Sequence, residues 1–322
     1  MNNLGSSIFS LKGKRVYVAG HTGMVGSALL RRLKIMDCKI LKVDSSDLNL
    51  KDYVAVNNWF KENKPDVVFM AAAKVGGIHA NNTYPVEFLY ENIAIQNSLI
   101  INSFQHKVKK LMFLGSSCIY PVDAEQPLKE SSLLTGSLEK TNESYALAKI
   151  TGIKLCQAYR KQFKVDFISV MPTNLYGPED NFHPENSHVV AALISKFYDA
   201  VIFKKKTITL WGTGSPLREF LDVDDLADGL VFLMENYSDA DPINIGTGKE
   251  ISIIEFANLI KKISGWNGDL TFDSTQPDGM YRKIIDLTKL NKLGWHAPTN
   301  LEDGIRKAYN WYKNNYENER KK

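Results

Sequence analysis

Tyr145 and Lys149 are the two side chains of this sequence with the clearest chemical use. They lie four residues apart in the string S-Y-A-L-A-K, which begins at Ser144, and on a helix this spacing puts both on one face, one turn apart. A phenol normally keeps its proton until about pH 10, and a fixed ammonium beside it favours the phenolate. The pair therefore suits carbonyl reduction, in which a hydride reaches carbon and a proton must reach oxygen. Tyr and Lys are ordinary helix residues, so the meaning of this spacing depends on the elements around it.

A glycine-rich turn near the start of the chain predicts a site for a dinucleotide. Residues 14–20 form a β-rich run, a G-x-x-G-x-x-G turn follows, and residues 27–33 have helical spacing. Glycines between a strand and a helix let backbone amides approach a pyrophosphate at the helix N-terminus. The predicted cofactor contacts in this turn are Gly20, Thr22, Gly23, Met24, Val25 and Gly26.

Asp44 ends a second predicted strand, eighteen residues beyond Gly26. An acidic side chain at this distance can accept hydrogen bonds from an adenosine ribose. In that case its charge would repel a 2′-phosphate, which favours NAD over NADP. Asp44 could equally be a loop aspartate or a helix cap within D-S-S-D, and the residues alone leave these alternatives open.

Three more apolar runs, at residues 65–73, 110–115 and 167–171, predict buried strands. The first ends in the small residues Ala71, Ala72 and Ala73, which would let a cofactor lie close. The second leads to Ser116, at the end of a strand where ligands bind in open α/β sheets. The alternation of strands and helices predicts a doubly wound parallel sheet.

The character of the sequence changes after Pro178. We predict a dinucleotide-binding Rossmann domain over residues 1–178, with residues 1–13 as a flexible leader. A smaller α/β substrate domain is predicted for residues 179–322, with a segment near 220–250 returning to the first domain.

Composition favours an ordinary globular protein. The chain of 322 residues has a net charge of +4 and 44% hydrophobic residues, and no basic stripe with interleaved aromatic residues argues for nucleic acid. Its three cysteines include no C-x-x-C and favour a reducing compartment. We find no signal peptide and no apolar run of membrane-spanning length. The expectation is a cytoplasmic protein with no membrane partner and no metal site.

Seven longer strings resemble the GDP-L-fucose synthase family of the extended short-chain dehydrogenase/reductase superfamily. They are G-H-T-G-M-V-G-S-A, A-A-A-K-V-G-G-I-H-A-N-N, L-G-S-S-C-I-Y-P, S-V-M-P-T-N-L-Y-G-P, N-F-H-P-E-N-S-H-V, W-G-T-G-S-P-L-R-E-F-L and P-D-G-M-Y-R-K. The likeness extends from about Arg15 to Trp311. It implies an epimerase-reductase that converts GDP-4-keto-6-deoxy-D-mannose to GDP-L-fucose, acting as a homodimer.

The resemblance also implies roles for individual residues. Tyr145 donates a proton to the C4 ketone, Lys149 tunes it and holds the nicotinamide ribose, and Ser116 binds the substrate near C4. Cys118 and His188 form the acid/base pair for epimerisation, although taken alone they could be a packing cysteine and a loop histidine. Further implied cofactor contacts are Leu114, Gly115, Pro172, Thr173, Asn174, Leu175 and His188. Further implied substrate contacts are Ser117, Asn174, Lys196, Trp211, Arg218, Asp278 and Lys283.

This chemistry is coherent, because a C4 ketone acidifies the protons on C3 and C5. A thiol and an imidazole have ordinary pKa values of about 8.5 and 6.5, close enough to neutrality to move those protons. The family uses NADPH, but Thr22 and Ser45 stand where it often has basic residues, so Asp44 and Thr22 also make NADH an expected cofactor.

Three alternative functions stay open at this point. The first is a C4 reductase for another GDP-linked keto sugar, such as a GDP-4-keto-heptose. The second is an epimerase or dehydratase with no net redox change, and the third is a non-enzymatic dinucleotide sensor.

Overall fold

The computed structural model describes residues 7–183, 187–276 and 278–319. Its first half comprises β1 (Arg15–Ala19), α1 (Met24–Leu33), β2 (Lys39–Leu41), α2 (Tyr53–Asn63), β3 (Val67–Met70), α3 (Ile78–Thr83), α4 (Pro85–Gln105), β4 (Lys110–Leu114), α5 (Glu143–Phe163) and β5 (Asp166–Pro172). Its second half comprises β6 (Asn174–Tyr176), α6 (Val189–Ile202), β7 (Thr207–Trp211), β8 (Leu217–Asp222), α7 (Val223–Asn236), β9 (Ile243–Ile245), β10 (Glu250–Ser252), α8 (Ile253–Ser264), β11 (Asp269–Asp273), β12 (Arg282–Lys283), α9 (Thr288–Leu293) and α10 (Leu301–Glu319).

A six-stranded parallel sheet in the order β2-β1-β3-β4-β5-β9 forms the centre of the molecule. Both of its faces are covered, as β1 illustrates: Val16 and Val18 pack into one apolar cluster with α1 and α7, and Tyr17 and Ala19 into another with α2, α4 and α5. Strands buried on both faces are typical of parallel sheets. The prediction of a doubly wound sheet is confirmed.

The glycine-rich turn lies at the switch point of this sheet, where the chain runs from β1 outward to β2 and then back to β3. Gly20 has a φ of +81°, and a Cβ on it would lie 2.6 Å from the Cα of Ala72. A Cβ on Gly26 would collide with the carbonyl oxygen of Gly20. Both positions therefore require glycine, and their packing puts the start of α1 against the carboxyl ends of β1 and β3.

The second half of the chain contributes to the central sheet and also builds a smaller core of its own. β9 pairs with β5, and α7 packs on α1, where Arg31 forms an ion pair with Asp224 at 2.7 Å. β8 pairs with β6, β10 and β12, and β7 pairs with β11. α6, α8 and α10 pack around these strands in a third apolar cluster.

The structure corrects the prediction of a flexible leader. That prediction is wrong for residues 9–13, because Leu11 is fully buried in the core and its amide donates to the Glu235 carboxylate at 2.9 Å. α3 and β6 are two elements that the sequence did not predict. Residues 1–6, part of the predicted leader, lie outside the described residues, as do residues 184–186 of N-F-H-P-E-N-S-H-V and residue 277. None of the described helices is both long and apolar enough to cross a membrane.

Candidate active site

Tyr145 and Lys149 lie in the first two turns of α5, which packs on α4 and against β4 and β5. The Lys149 ammonium is 5% exposed and donates to the main-chain oxygen of Leu114 at 2.7 Å, at the carboxyl end of β4. Its Nζ lies 5.6 Å from the centre of the Tyr145 ring and 5.1 Å from that of Phe113. The structure thus brings the predicted pair together at the edge of the sheet where ligands bind.

Burial dominates the electrostatics of this pair. It lowers the pKa of Lys149 to about 8, although charge on Cys118 acts in the opposite direction. It also raises the pKa of Tyr145, and Cys118 adds to that effect. Burial therefore acts on the Tyr145 pKa in the direction opposite to the one expected from a neighbouring ammonium.

Ser116 and Cys118 stand together in a single 3₁₀ turn that directly follows β4. The Ser116 hydroxyl accepts a hydrogen bond from the Cys118 amide at 3.4 Å. The turn is fixed at its far end, where the Tyr120 hydroxyl donates to the Asn244 side-chain oxygen at 2.5 Å. Since charge on Cys118 shifts the pKa values of both Tyr145 and Lys149, the turn lies beside them.

Lys283 links Cys118 to the second half of the chain. Burial lowers its pKa, charge on Cys118 opposes this, and Arg218 reinforces it. In the strand register Lys283 lies directly beside Arg218, on the short β12. His188 immediately precedes α6, and its pKa is lowered by burial and then by Lys283. His188 as a whole residue is exposed while its imidazole is desolvated, so we place it in the wall of a cleft.

The loops beyond Arg218 close one side of this cleft. Asp278 accepts hydrogen bonds from the amide and hydroxyl of Thr213, at 2.7 and 2.9 Å. Its main-chain oxygen accepts from the Arg218 guanidinium at 3.4 Å. The Asp278 carboxylate therefore binds the neighbouring loop in this structure, and direct contact with a substrate stays a prediction.

Lys196 and Trp211 lie on two other elements of the second half of the chain, α6 and β7. Lys196 is eight residues beyond His188, about two turns along α6, and it donates to the main-chain oxygen of Thr209 at 3.5 Å. It lines a cavity of about 260 Å³ with Ser195 and Lys205. Trp211 is 59% exposed at the end of β7.

Known proteins resemble the chain over nearly its whole length. The model of the NAD dependent epimerase/dehydratase family matches residues 16–246. GDP-L-fucose synthase 1 of Arabidopsis thaliana is 52% identical over 97% of this chain and 98% of its own. The chain belongs to the NAD dependent epimerase/dehydratase family. The resemblance to GDP-L-fucose synthases is confirmed, and we describe the chain from here on as an NAD(P)-dependent nucleotide-sugar epimerase/reductase.

Solved structures agree with this family assignment. A GDP-L-fucose synthetase from Naegleria fowleri, bound to NADP, superposes with a TM-score of 0.90 at 30% identity, over 97% of this chain and 98% of that one. A GDP-6-OMe-4-keto-L-xylo-heptose reductase from Campylobacter jejuni superposes with a TM-score of 0.89 at 36% identity, over 95% and 99% of the two chains.

The residues at the switch point fit the dinucleotide that this family binds. α1 begins at Met24 with Gly23 as its N-cap, so no side chain caps the first amides and they remain as donors for phosphate oxygens. His21 is 6% exposed, and its Nε2 lies 3.3 Å from the Asp44 carboxylate, which is held at the edge of this turn. Asp52 caps α2, so D-S-S-D does not serve as its cap.

Two residues that hold the site together were missed in the sequence. Asn92, buried on α4, exchanges two hydrogen bonds with the main chain of Lys74 and so fixes the segment after β3. Glu219 is fully buried on β8 and accepts three backbone hydrogen bonds. The sequence signal for Glu219 was a charged residue among the apolar residues of a strand. For Asn92 there was no signal in the sequence beyond its position in a helix that is buried.

The buried Lys149 makes folding stability depend on pH. Its folded pKa of about 8 lies below the ordinary 10.5, so between these values the unfolded chain binds a proton that the folded chain does not. Relative to Lys149→Met, the wild-type free energy of unfolding should therefore rise with pH across this window, by at most about 3 kcal/mol. Urea unfolding of both proteins between about pH 7 and pH 10 measures this difference. A difference that falls as pH rises would contradict the assigned desolvation.

Proposed function

We propose that the chain converts GDP-4-keto-6-deoxy-D-mannose to GDP-L-fucose by epimerisation at C3 and C5 and reduction at C4. One observation carries the proposal: α5, with Tyr145, packs on the turn that contains Ser116 and Cys118, and Cys118 and His188 both lie within electrostatic reach of Lys283. A reductase needs the first two residues, and an epimerase needs a second acid/base pair. The names of the similar proteins support this reading.

In this mechanism the chain's own residues move protons around the C4 ketone. Ser116 binds the ketone oxygen, and Tyr145 delivers the proton that completes the alcohol. The dinucleotide, when bound, supplies the hydride. Burial raises the pKa of Tyr145 and keeps its hydroxyl protonated, so the proton that the alcohol needs is present on this side chain.

Epimerisation takes place on the side of the cleft that contains Cys118 and His188. Burial and the neighbouring Lys283 lower the pKa of His188, so its imidazolium gives up a proton more readily than an ordinary one. We assign Cys118 as the base that removes a proton from C3 or C5, and His188 as the group that returns a proton from the other face. Residues 179–322 would form most of the substrate side of this cleft, with Arg218 and Lys196 facing the diphosphate.

Incubation with GDP-4-keto-6-deoxy-D-mannose and reduced cofactor in deuterated water tests the proposal. We expect a fucose-configured product with deuterium at C3 and C5, identified by NMR. Cys118→Ala should lower the rate of deuterium incorporation by on the order of a hundredfold or more, because it removes a general base. Ala146→Ser, a small substitution at a buried position of α5 outside these roles, serves as the control. Deuterated product formed at an unchanged rate by Cys118→Ala would exclude the assigned base.

A second candidate is a C4 reductase for a GDP-linked 4-keto-heptose. The superposition on the Campylobacter jejuni heptose reductase favours it. Reduction without deuterium at C3 and C5 would support this alternative. Deuterium exchange without consumption of reduced cofactor would indicate an epimerase with no net redox change, and cofactor binding without either reaction would indicate a sensor.

The cofactor preference depends on Asp44. Its carboxylate is 61% exposed and lies 3.3 Å from the His21 ring. The residue after His21, Thr22, and the two residues after Asp44, Ser45 and Ser46, are uncharged. Asp44→Ala should therefore raise the kcat/KM for NADPH relative to that for NADH by on the order of tenfold, because it removes a repulsive charge. Asp47→Ala, which removes an exposed carboxylate from the same turn, is the matched control. A ratio that Asp44→Ala leaves unchanged would refute the ribose assignment.

We also propose that the chain forms a homodimer through the outer faces of α4 and α5. These packed helices expose Val86 (70%), Tyr90 (65%) and Leu147 (42%). Leu147→Arg should shift sedimentation velocity from dimer to monomer, because it would bury an unpaired charge at the interface. Ile35→Arg, at a position that is 80% exposed on another surface, should leave the dimer intact. A wild-type monomer would contradict the proposal.

A further inference from the structure

Glu219 is a buried carboxylate to which the proposed mechanism gives no role. Its Oε1 accepts hydrogen bonds from the amides of Thr247 at 2.6 Å and Gly248 at 2.9 Å. Its Oε2 accepts from the amide of Ile285 at 3.0 Å. The side chain thus joins β8 to the loop after β9 and to the segment just after β12. Within residues 7–183, 187–276 and 278–319, no cation forms an ion pair with it.

The segment that contains Lys283 is held at several points. The Ile284 amide donates to the Gln126 side chain at 3.1 Å, and Leu128 exchanges backbone hydrogen bonds with Ile284 and Asp286 at 2.8 Å. β12 has two residues, and its register places Lys283 beside Arg218. Two cations in adjacent register positions repel, and Arg218 lowers the pKa of Lys283. The Ile285 amide lies two residues beyond Lys283, so its bond to Glu219 anchors the strand next to the repelling pair.

The backbone of Glu219 reaches the other side of the cleft. Its main-chain oxygen accepts from the Asn174 side-chain amide at 2.8 Å and from the Thr173 hydroxyl at 3.3 Å. One residue therefore connects the strand of Arg218, the strand of Lys283 and the segment predicted to line the nicotinamide.

We propose that Glu219 is a positioning residue that holds Arg218 and Lys283 together as one anion-binding pair, in fixed relation to Asn174. The role of this pair as a contact for the diphosphate of the substrate rests on the proposed function. Two neighbouring cations fit a ligand with two adjacent negative charges. A diphosphate is the chemical class with that arrangement of charge.

The three backbone partners of this carboxylate are all N–H donors. Carboxylate oxygens only accept hydrogen bonds, whereas a glutamine amide offers one acceptor oxygen and one NH₂ group that only donates. In Glu219→Gln the amide oxygen can keep Thr247 and Gly248, and the NH₂ group then faces the Ile285 amide. Two opposed donors would displace Ile285 and shift Lys283 relative to Arg218, although Ile284 and Asp286 keep their bonds to Gln126 and Leu128.

Affinities for GDP and for inorganic pyrophosphate, measured by calorimetry, test the proposal. We expect Glu219→Gln to weaken both by about ten- to a hundredfold, the usual effect of losing a hydrogen bond to a buried charge. Glu235→Gln is the matched control, because the Glu235 carboxylate also accepts a backbone amide, that of Leu11 at 2.9 Å, but contacts neither β8 nor β12 in the hydrogen bonds of the described residues. Glu219→Asp, which keeps an acceptor-only group, should fall between wild type and Glu219→Gln and serves if the latter fails to fold.

A double-mutant cycle with Lys283→Met distinguishes positioning from general destabilisation. If Glu219 acts through Lys283, Glu219→Gln should weaken pyrophosphate binding much less in the Lys283→Met background than in wild type. Equal effects in both backgrounds would overturn the proposal, as would wild-type affinity in Glu219→Gln or the same loss in Glu235→Gln.

The two proposals fail in different ways. Pyrophosphate binding that depends on Glu219 and Lys283 as described, in a protein that does not turn over the keto sugar, would refute the proposed function and support the positioning role. Deuterated fucose-configured product, together with an unchanged KM and unchanged pyrophosphate affinity in Glu219→Gln, would support the proposed function and refute the positioning role.

Discussion

The close approach of Gly26 to the carbonyl of Gly20 is the constraint on which the rest of the site depends. With no side chain between them, α1 starts against the end of β1, and its uncapped amides face the gap between β1 and β3. A parallel sheet puts the carboxyl ends of all its strands on that same edge. Ser116 after β4 and Asn174 after β5 therefore have to lie near whatever the turn binds.

Desolvation sets the chemistry of the cleft more than any single ion pair does. It lowers the pKa values of Lys149, Lys283 and His188 and raises that of Tyr145. Each of these groups is thereby biased toward its neutral form. A site of this kind can take up and release protons on an uncharged ketone without first breaking strong internal ion pairs.

The two halves of the chain are interleaved, and the cleft needs both. β9 and α7 return to the central sheet, while β8 remains in the smaller core and carries Arg218 and Glu219. The hydrogen bond from Tyr120 to Asn244 and the ion pair of Arg31 with Asp224 cross between them. The positions of Cys118 and Lys283 consequently depend on how these halves pack together.

The sequence by itself determined the sheet, the glycine-rich turn and the Tyr145–Lys149 spacing, because each depends on local periodicity or on residues close along the chain. It also determined the family, through strings that extend over both halves. The tertiary structure decided what depends on packing over long separations: the direction of the Tyr145 pKa shift, the burial of Leu11, and the contact of His21 with Asp44. The three hydrogen bonds to the Glu219 carboxylate also depend on tertiary packing, since their donors lie 28, 29 and 66 residues away along the chain. No periodicity encodes such partners, and only the folded backbone brings their amides to one carboxylate.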